Sequence, residues 1–405
     1  MNDHPIPADD VDTRPVVTLA PQRHKRAERG HPWIYSNELV LDAAARALPP
    51  GSLVTVLGAE GRKLGVATFN PHPLISLRLL DRDPARRIDA AFFAARLRRA
   101  LEIRTQLFAA PHYRLIHAEA DGLPGLIVDR YGDAVVAQLN TAGMARLEEP
   151  LLAALDQVLK PGIIVLRNDS SARAVEGLES ETRIARGDLS GPIEVPENGA
   201  RFLADLSTGQ KTGWFFDQRL NRAFIAGLAR GKRMLDAYAF TGGFGVLAAA
   251  QGAERVTLLD RSGAALALAT GAAALNGVAD RIETREGEAF ETLEAMARER
   301  ERFDVVVLDP PAFVKSKKDL GPGSRGYRKL ARLGATVTAR GGILMAASCS
   351  HNMPLDAFTE AVREGLMDAG RPGRILHTGF AGPDHPVHPS LPESAYLKAL
   401  VVALD

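Results

Sequence analysis

The stretch Asp236-Ala-Tyr-Ala-Phe-Thr-Gly-Gly-Phe-Gly245 decides the fold of this chain. An apolar, β-prone run beginning at Arg233 leads into it, and Val246-Leu-Ala-Ala-Ala250 leaves it as a helix. Strand, glycine-rich turn and helix in that order open a doubly wound α/β sheet. The same grammar repeats downstream, with strands expected at 233–238, 255–260, 281–286, 303–309 and 342–348 and helical stretches between them. A last pair is expected near 375–380 and 396–404.

Ligands of open α/β sheets bind at the carboxyl ends of the strands. Asp236 stands at the end of the first strand, Asp260 at the end of the second, and Gly287-Glu288 follow the third. Asp309-Pro310-Pro311 closes the fourth, and Ser348-Cys349-Ser350 the fifth. Four acids and the only thiol therefore share one edge. Gly243-Phe-Gly245-Val-Leu-Ala248 fits a dinucleotide pattern, G-x-G-x-x-A. It equally fits an S-adenosylmethionine site, where glycines let the backbone approach a ligand without phosphates. Asp260 suits either cofactor, because its carboxylate can accept from ribose hydroxyls. Asp309-Pro-Pro-Ala-Phe313 separates the two. A base methyltransferase has a use for a rigid acid–proline loop with an aromatic ring, whereas a nicotinamide enzyme has none. A plain turn after a strand is the bland alternative.

Cys349 has two readings, a small buried hydrophobe or a nucleophile. Carbon-5 of a pyrimidine is a poor nucleophile, and a thiolate adding to carbon-6 activates it; methylation of an exocyclic amine needs no thiol. One cysteine also excludes an internal disulfide framework and a multi-cysteine zinc site, and no metal is expected.

The 405 residues carry 50 basic and 49 acidic side chains, a sum that argues against a wholly basic coat. The sum conceals its distribution. Residues 14–104 hold 16 basic and 8 acidic groups, whereas 315–332 hold seven basic residues and one acid, Asp319. Arg23, Lys25 and Trp33 in the first stretch combine cations with aromatics, as an RNA surface does. Lys315, Lys317, Arg325 and Tyr327 lie in the second, expected to be a loop touching phosphates. A solvated charged surface is the other reading of both. No stretch is apolar enough for a membrane span and no signal peptide opens the chain, so a soluble cytoplasmic protein is expected. Short β-rich runs between 16 and 80 fit a small barrel; 89–109 and 147–159 read as helices; 126–129 with 134–139, and Asn198-Gly199, mark hairpins.

Together these motifs resemble the ribosomal RNA large subunit methyltransferase I family, class I S-adenosylmethionine-dependent enzymes that form 5-methylcytosine in large-subunit (23S) rRNA. The resemblance runs from about residue 15 to the end. Its carriers are Gly30-His-Pro-Trp-Ile-Tyr35, Asp121-Gly-Leu-Pro-Gly-Leu-Ile-Val-Asp-Arg-Tyr131, Thr212-Gly-Trp-Phe-Phe-Asp-Gln-Arg219, the 236–245 turn, Asp309-Pro-Pro-Ala-Phe313 and Ser348-Cys-Ser350. Asp384-His-Pro-Val387, Pro392-Glu393 and Tyr396-Leu-Lys398 look like the family's C-terminal hairpin.

The resemblance implies four segments: a disordered leader (1–13), a PUA-like RNA-binding domain (14–82), a central α/β domain (83–207) and a methyltransferase domain (208–405) whose last strand is antiparallel. It implies Cys349 as the attacking thiol and Asp309 as the base-contacting acid bordering the cofactor. Asp236, Phe240, Thr241, Gly242 and Gly243 would line the methionine end of S-adenosylmethionine, and Asp260 its ribose. Glu288 stands where Asp is commoner, toward the adenine amine, and Asp217 and Arg219 fall near the cofactor. Pro310 and Phe313 would meet the target base. Large-subunit rRNA is the implied partner, and a homodimer stays open. Related guanine methyltransferases share Asp-Pro-Pro-x-Phe without the thiol, so a guanine-N methyltransferase with a structural Cys349 is the first alternative. A non-catalytic RNA-binding assembly factor and a nicotinamide oxidoreductase are the others.

Overall fold

A computed structural model describes residues 10–209 and 212–405. Most of the expected leader, residues 1–9, lies outside the described residues; Asp10–Thr13 form a turn in which Thr13 N–H donates to Asp10 O. The chain divides into two compact units. One holds the N-terminal part through Gly191 with Leu206–Gly213 and Asp384–Ser394; the other holds Pro192–Asp205, Trp214–Pro383 and Ala395–Asp405.

The first unit contains two sheets. Val16–Thr18, Trp33–Tyr35, Ser52–Leu57, Lys63–Phe69 and Ile75–Asp81 form the first, around Val17, Ile34, Val54, Val56, Phe69 and Leu77. Trp33–Tyr35 is a strand of three residues, too short for its alternation to show in the sequence. His112–His117, Leu126–Tyr131, Ala134–Leu139, Ile163–Asn168 and Glu181–Arg186 pair in chain order in the second. Its two outer strands, His-Tyr-Arg-Leu-Ile-His and Glu-Thr-Arg-Ile-Ala-Arg, escaped the reading because edge strands this polar carry no apolar run. Helix Ala90–Leu107 is capped by Asp89, whose carboxylate accepts from Phe92 N–H at 3.0 Å, and it buries Phe93 and Leu97 on this sheet. Its Arg104 is buried and forks onto Asp121 (2.7 Å to each oxygen) while also donating to Asp384 O. The tail motif at 384–387 thus packs in the first unit, not in the catalytic domain's hairpin as expected, because a buried guanidinium needs its acceptors.

The second unit is built on a seven-stranded sheet: β1 (Arg233–Ala237), β2 (Arg255–Asp260), β3 (Ile282–Glu286), β4 (Phe303–Leu308), β5 (Thr338–Ser348), β6 (Gly373–Gly379) and β7 (Lys398–Leu404). The order is β3-β2-β1-β4-β5-β7-β6, and every pairing is parallel except those of β7, which lies antiparallel between β5 and β6. In β4, Val305, Val306, Val307 and Leu308 are all fully buried, as a strand covered on both faces requires. Helices α1 (Arg219–Leu228), α2 (Gly243–Ala250), α3 (Gly263–Leu275), α4 (Ala289–Arg298), α5 (Leu320–Val337) and α6 (Leu355–Asp368) accompany the sheet.

Two expectations are corrected here. The hairpin Ile193–Glu197/Ala200–Ala204 belongs to this unit instead of to the central domain, since Phe202 packs on Trp214 (centroids 4.7 Å apart) and Arg201 bonds Asn276 beyond α3. The basic stretch 315–332 is mostly helix, not loop. Ser316 and Asp319 form a capping box ahead of α5, and Pro322 sits in its first turn, where no intrahelical donor is lost. Two of its glycines face the loop after β4: a Cβ on Gly323 would come within 2.3 Å of Val314, and one on Gly326 within 3.0 Å of Phe313.

Candidate active site

The end of β1 is where the fold leaves buried polar atoms unmet. Asp236 is completely buried; its Oδ2 accepts from Gly245 N–H at 2.9 Å, but among the described residues its Oδ1 has no partner, and neither has the buried Thr241 hydroxyl. Burial pushes the Asp236 carboxyl up to about 7, with the Asp309 and Asp260 charges adding to the effect and the Gly245 bond opposing it. Unsatisfied polar atoms of this kind cost free energy unless a ligand supplies their partners. The turn between them is strained: Tyr238 and Phe240 have φ of 64° and 51°, and Gly242 has φ of 78°. Strain of this sort concentrates at ligand sites.

The glycines themselves answer to packing. A Cβ on Gly245 would meet Leu258 at 2.2 Å, and one on Gly242 would meet Val246 and Ala269 at 2.8 and 2.9 Å. Their bare backbones let α2 close on β2, which differs from the expected role of admitting a ligand. Gly243 rests on Arg222 and Trp214. Those two converge on Glu197, a buried hairpin residue that accepts from Arg222 Nε (2.7 Å) and Trp214 Nε1 (3.2 Å), with Arg219 Nε 3.5 Å away. Glu197 was not singled out in the sequence, because nothing local distinguishes a hairpin glutamate that will be buried.

Asp260 ties strand ends together. Its Oδ2 accepts from Phe240 N–H (2.8 Å), its Oδ1 from Ser262 N–H (2.9 Å), and its carbonyl from Gly287 N–H (3.0 Å). Glu288 stands exposed at the start of α4. In the entrance motif, Asp217 Oδ2 accepts from the Tyr396 hydroxyl at 2.5 Å, and Gln218 Nε2 donates to Asp309 Oδ2 at 2.9 Å. Gln218 in turn accepts from Asn221, so Asp309 is oriented by a buried amide that sequence reasoning passed over.

At the end of β5, Cys349 is half-buried with its Sγ 3.9 Å from Pro310 O. Ser348 and Ser350 on either side are buried. The Ser348 hydroxyl donates to Tyr327 OH at 2.8 Å, Tyr327 OH and Ser350 Oγ are 2.9 Å apart, and Val314 N–H donates to Ser350 Oγ at 3.2 Å. Tyr327, expected to touch RNA, is 2% exposed and spends its hydroxyl on these serines. Phe313 likewise packs on Tyr327 (4.7 Å) and Phe290 (6.1 Å) instead of standing open for a base. Pro310 is buried and Pro311 exposed.

Of the cations in 315–332, Arg328 is bound by Asp368 and Glu364 of α6, and Lys329 by Glu294 of α4. Lys315, Lys317, Lys318 and Arg325 are exposed with no carboxylate partner among the described residues. In the first unit, Arg23 and Lys25 are exposed as well. Trp33 is already engaged: its Nε1 donates to Glu119 at 2.7 Å and Arg78 covers its ring at 5.6 Å, so it joins the two sheets of that unit instead of offering an open platform.

Residues 178–402 match a family model described as S-adenosylmethionine-dependent methyltransferase, and 17–82 match a PUA-like domain. A ribosomal RNA large subunit methyltransferase I of Pseudoalteromonas atlantica is 36% identical over 95% of this chain and 98% of its own. The chain belongs to this family. That of Shewanella denitrificans matches at the same identity and coverage. Among solved structures, a methyltransferase complexed with SAH superposes with a TM-score of 0.81 at 21% identity, covering 96% of this chain and 99% of that one. A SAM-dependent methyltransferase from Streptococcus mutans does so with the same TM-score and identity. The family's cofactor is S-adenosylmethionine, and the strained turn with its unmet Asp236 and Thr241 atoms fits such a ligand, which offers an ammonium and hydroxyls to buried oxygens. No helix among the described residues is long and apolar enough to cross a membrane.

Proposed function

We propose that this chain methylates carbon-5 of a cytosine in large-subunit ribosomal RNA, with Cys349 as a covalent nucleophile. The observation that carries this reading is the thiol's setting: half-buried at the end of β5 beside the Asp309-Pro310 turn, with both neighbouring serines strapped inward. The large-subunit rRNA substrate rests on the printed name of relatives matched along their whole length.

In this reading Asp236, Phe240, Thr241, Gly242 and Gly243 border the methionine end of the cofactor, Asp260 the ribose and Glu288 the adenine. Asp217 and Arg219 support this edge from the entrance motif. The cofactor supplies an electrophilic methyl group. The Cys349 thiolate adds to carbon-6 of the base, and the electron pair of the carbon-5–carbon-6 double bond moves toward carbon-5. Asp309, oriented by Gln218, accepts from the base edge and holds carbon-5 in place. Once carbon-5 carries the methyl group, its proton passes to water, the carbon-5–carbon-6 double bond re-forms and the carbon-6–sulfur bond breaks to release the thiolate. Lys315, Lys317 and Arg325 contact phosphates without reading sequence, and Arg23 and Lys25 add a second basic contact from the first unit.

The deciding experiment incubates the protein with labelled S-adenosylmethionine and deproteinised large-subunit RNA and identifies the methylated nucleoside. 5-Methylcytidine is expected. Methylguanosine would overturn the reading and make Cys349 structural.

A further inference from the structure

The mechanism above leaves a buried lysine unused. Lys398, the first residue of β7, is 5% exposed, and no carboxylate pairs with it among the described residues. Its Nζ donates to Ser350 O and to Met353 O, both at 2.7 Å. Its Cα is paired with that of Ser348 across the antiparallel β5–β7 ladder. Lys398 thus brackets Cys349, held by register to the residue before it and by hydrogen bonds to the residue after it.

Burying an ammonium is costly, and a surface-seeking lysine here would be unexplained if it only tied two carbonyls, which a neutral donor could do. Two of its three donors are used on those carbonyls. Burial holds its own ionisation down to about 8, and the charge that opposes this is that of Cys349. The other titratable groups around this loop are Tyr327 from α5, Asp309 after β4, His351 two residues on, and Tyr396, which lies against His351 with ring centroids 5.0 Å apart. Tyr327 is kept in its neutral form by burial and supplies no positive charge, whereas Lys398 is a cation tied by hydrogen bonds to this loop.

We propose that Lys398 is the positioning residue that holds Cys349 as a thiolate, through its ammonium charge and its two bonds to the loop that carries the thiol. This rests on the reading of Cys349 as nucleophile. The thiol proton is lost to water, the ammonium keeps its own, and the thiolate is ready to add to a base. A thiol beside lysine ionises well below the ordinary value of about 8.5.

Cys349 is the only cysteine in the chain, so alkylation by iodoacetamide reports on it without further mutation. In the full-length protein, without cofactor or RNA, the alkylation rate is measured against pH. The wild type is expected to show an apparent thiol pKa below about 8.5. Lys398→Met should move it up by about one unit and slow alkylation at pH 7 by about ten-fold, whereas Lys398→Arg stays near the wild-type profile. Identical profiles in the wild type and Lys398→Met would overturn the proposal. A wild-type thiol that ionises at or above the value of free cysteine overturns it even if the Met variant does not fold. Methylguanosine as product, or an active Cys349→Ala, sinks the cytosine reading and leaves this measurement of the thiol standing.

Discussion

The end of β1 and the end of β5 are two solutions to building a reactive edge. At β1 polar atoms stay unpaired: Asp236 Oδ1 and the Thr241 hydroxyl are buried without partners among the described residues, on a strained turn. At β5 the neighbours are over-paired: Ser348, Ser350, Tyr327, Val314 and Lys398 are bonded into one network around Cys349. The first arrangement waits for a ligand to complete it. The second fixes the chain on either side of Cys349 through the bonds of its neighbours. Ligand affinity should therefore follow β1, and turnover should follow β5.

The largest separation comes from Cys349→Ala. Turnover on RNA should fall on the order of 10³-fold or more, with S-adenosylmethionine affinity within about two-fold of wild type, measured by calorimetry. Equal losses of both would erase the distinction. Asp236→Asn does the converse and weakens cofactor binding by about 10–100-fold, since it removes a charged acceptor. The pH dependence has a definite sign. In the free protein the Asp236 carboxyl titrates near 7, above its unfolded value of about 3.9, so folding is favoured while it is protonated and loses that contribution as pH rises between the two. Binding that uses the carboxylate must then tighten as pH rises through 7, and the cofactor should raise the melting temperature more at pH 8 than at pH 6. A flat profile would detach Asp236 from the cofactor.

Tyr327→Phe sharpens the β5 side. Removing the hydroxyl shared by two buried serines should cost about 1 kcal/mol, lowering the melting temperature by about 2–4 °C, and reduce turnover by about ten-fold through a misplaced thiol. Cofactor affinity stays put. The smallest effect is expected from replacing Lys315 and Lys317 together by alanine. RNA affinity should drop and the log–log salt slope shrink by about 1.4, as for two phosphate contacts on a single strand, with cofactor affinity unchanged.

Much of this edge was legible in the sequence. Alternation of strand and helix identifies the sheet, and the residue that ends each strand can be read directly, so Asp236, Asp260, Asp309 and Cys349 follow from local pattern. Roles that depend on direction were not legible. Tyr327 and Phe313 look like RNA contacts in a stretch rich in glycine and lysine, yet Gly323 and Gly326 let α5 lie against the loop after β4, and that packing buries Tyr327 and half-buries Phe313. Arg328 and Lys329 count toward a basic patch until α6 and α4 bring up their carboxylates. The glycine-rich turn reads as an approach for a ligand, while Leu258 fills the space beside Gly245.

The sequence by itself determined which chemical groups reach the sheet edge, because period and punctuation are local and each strand ends where its apolar run ends. Tertiary structure decided which of those groups are already satisfied. Lys398 reaches the Ser350 and Met353 carbonyls only because β7 inserts antiparallel beside β5, and Glu197 becomes a buried hub only because its hairpin packs on α2 and α3. Partnering of buried polar atoms is set by contacts between segments far apart in the chain, and such contacts leave no mark in local pattern.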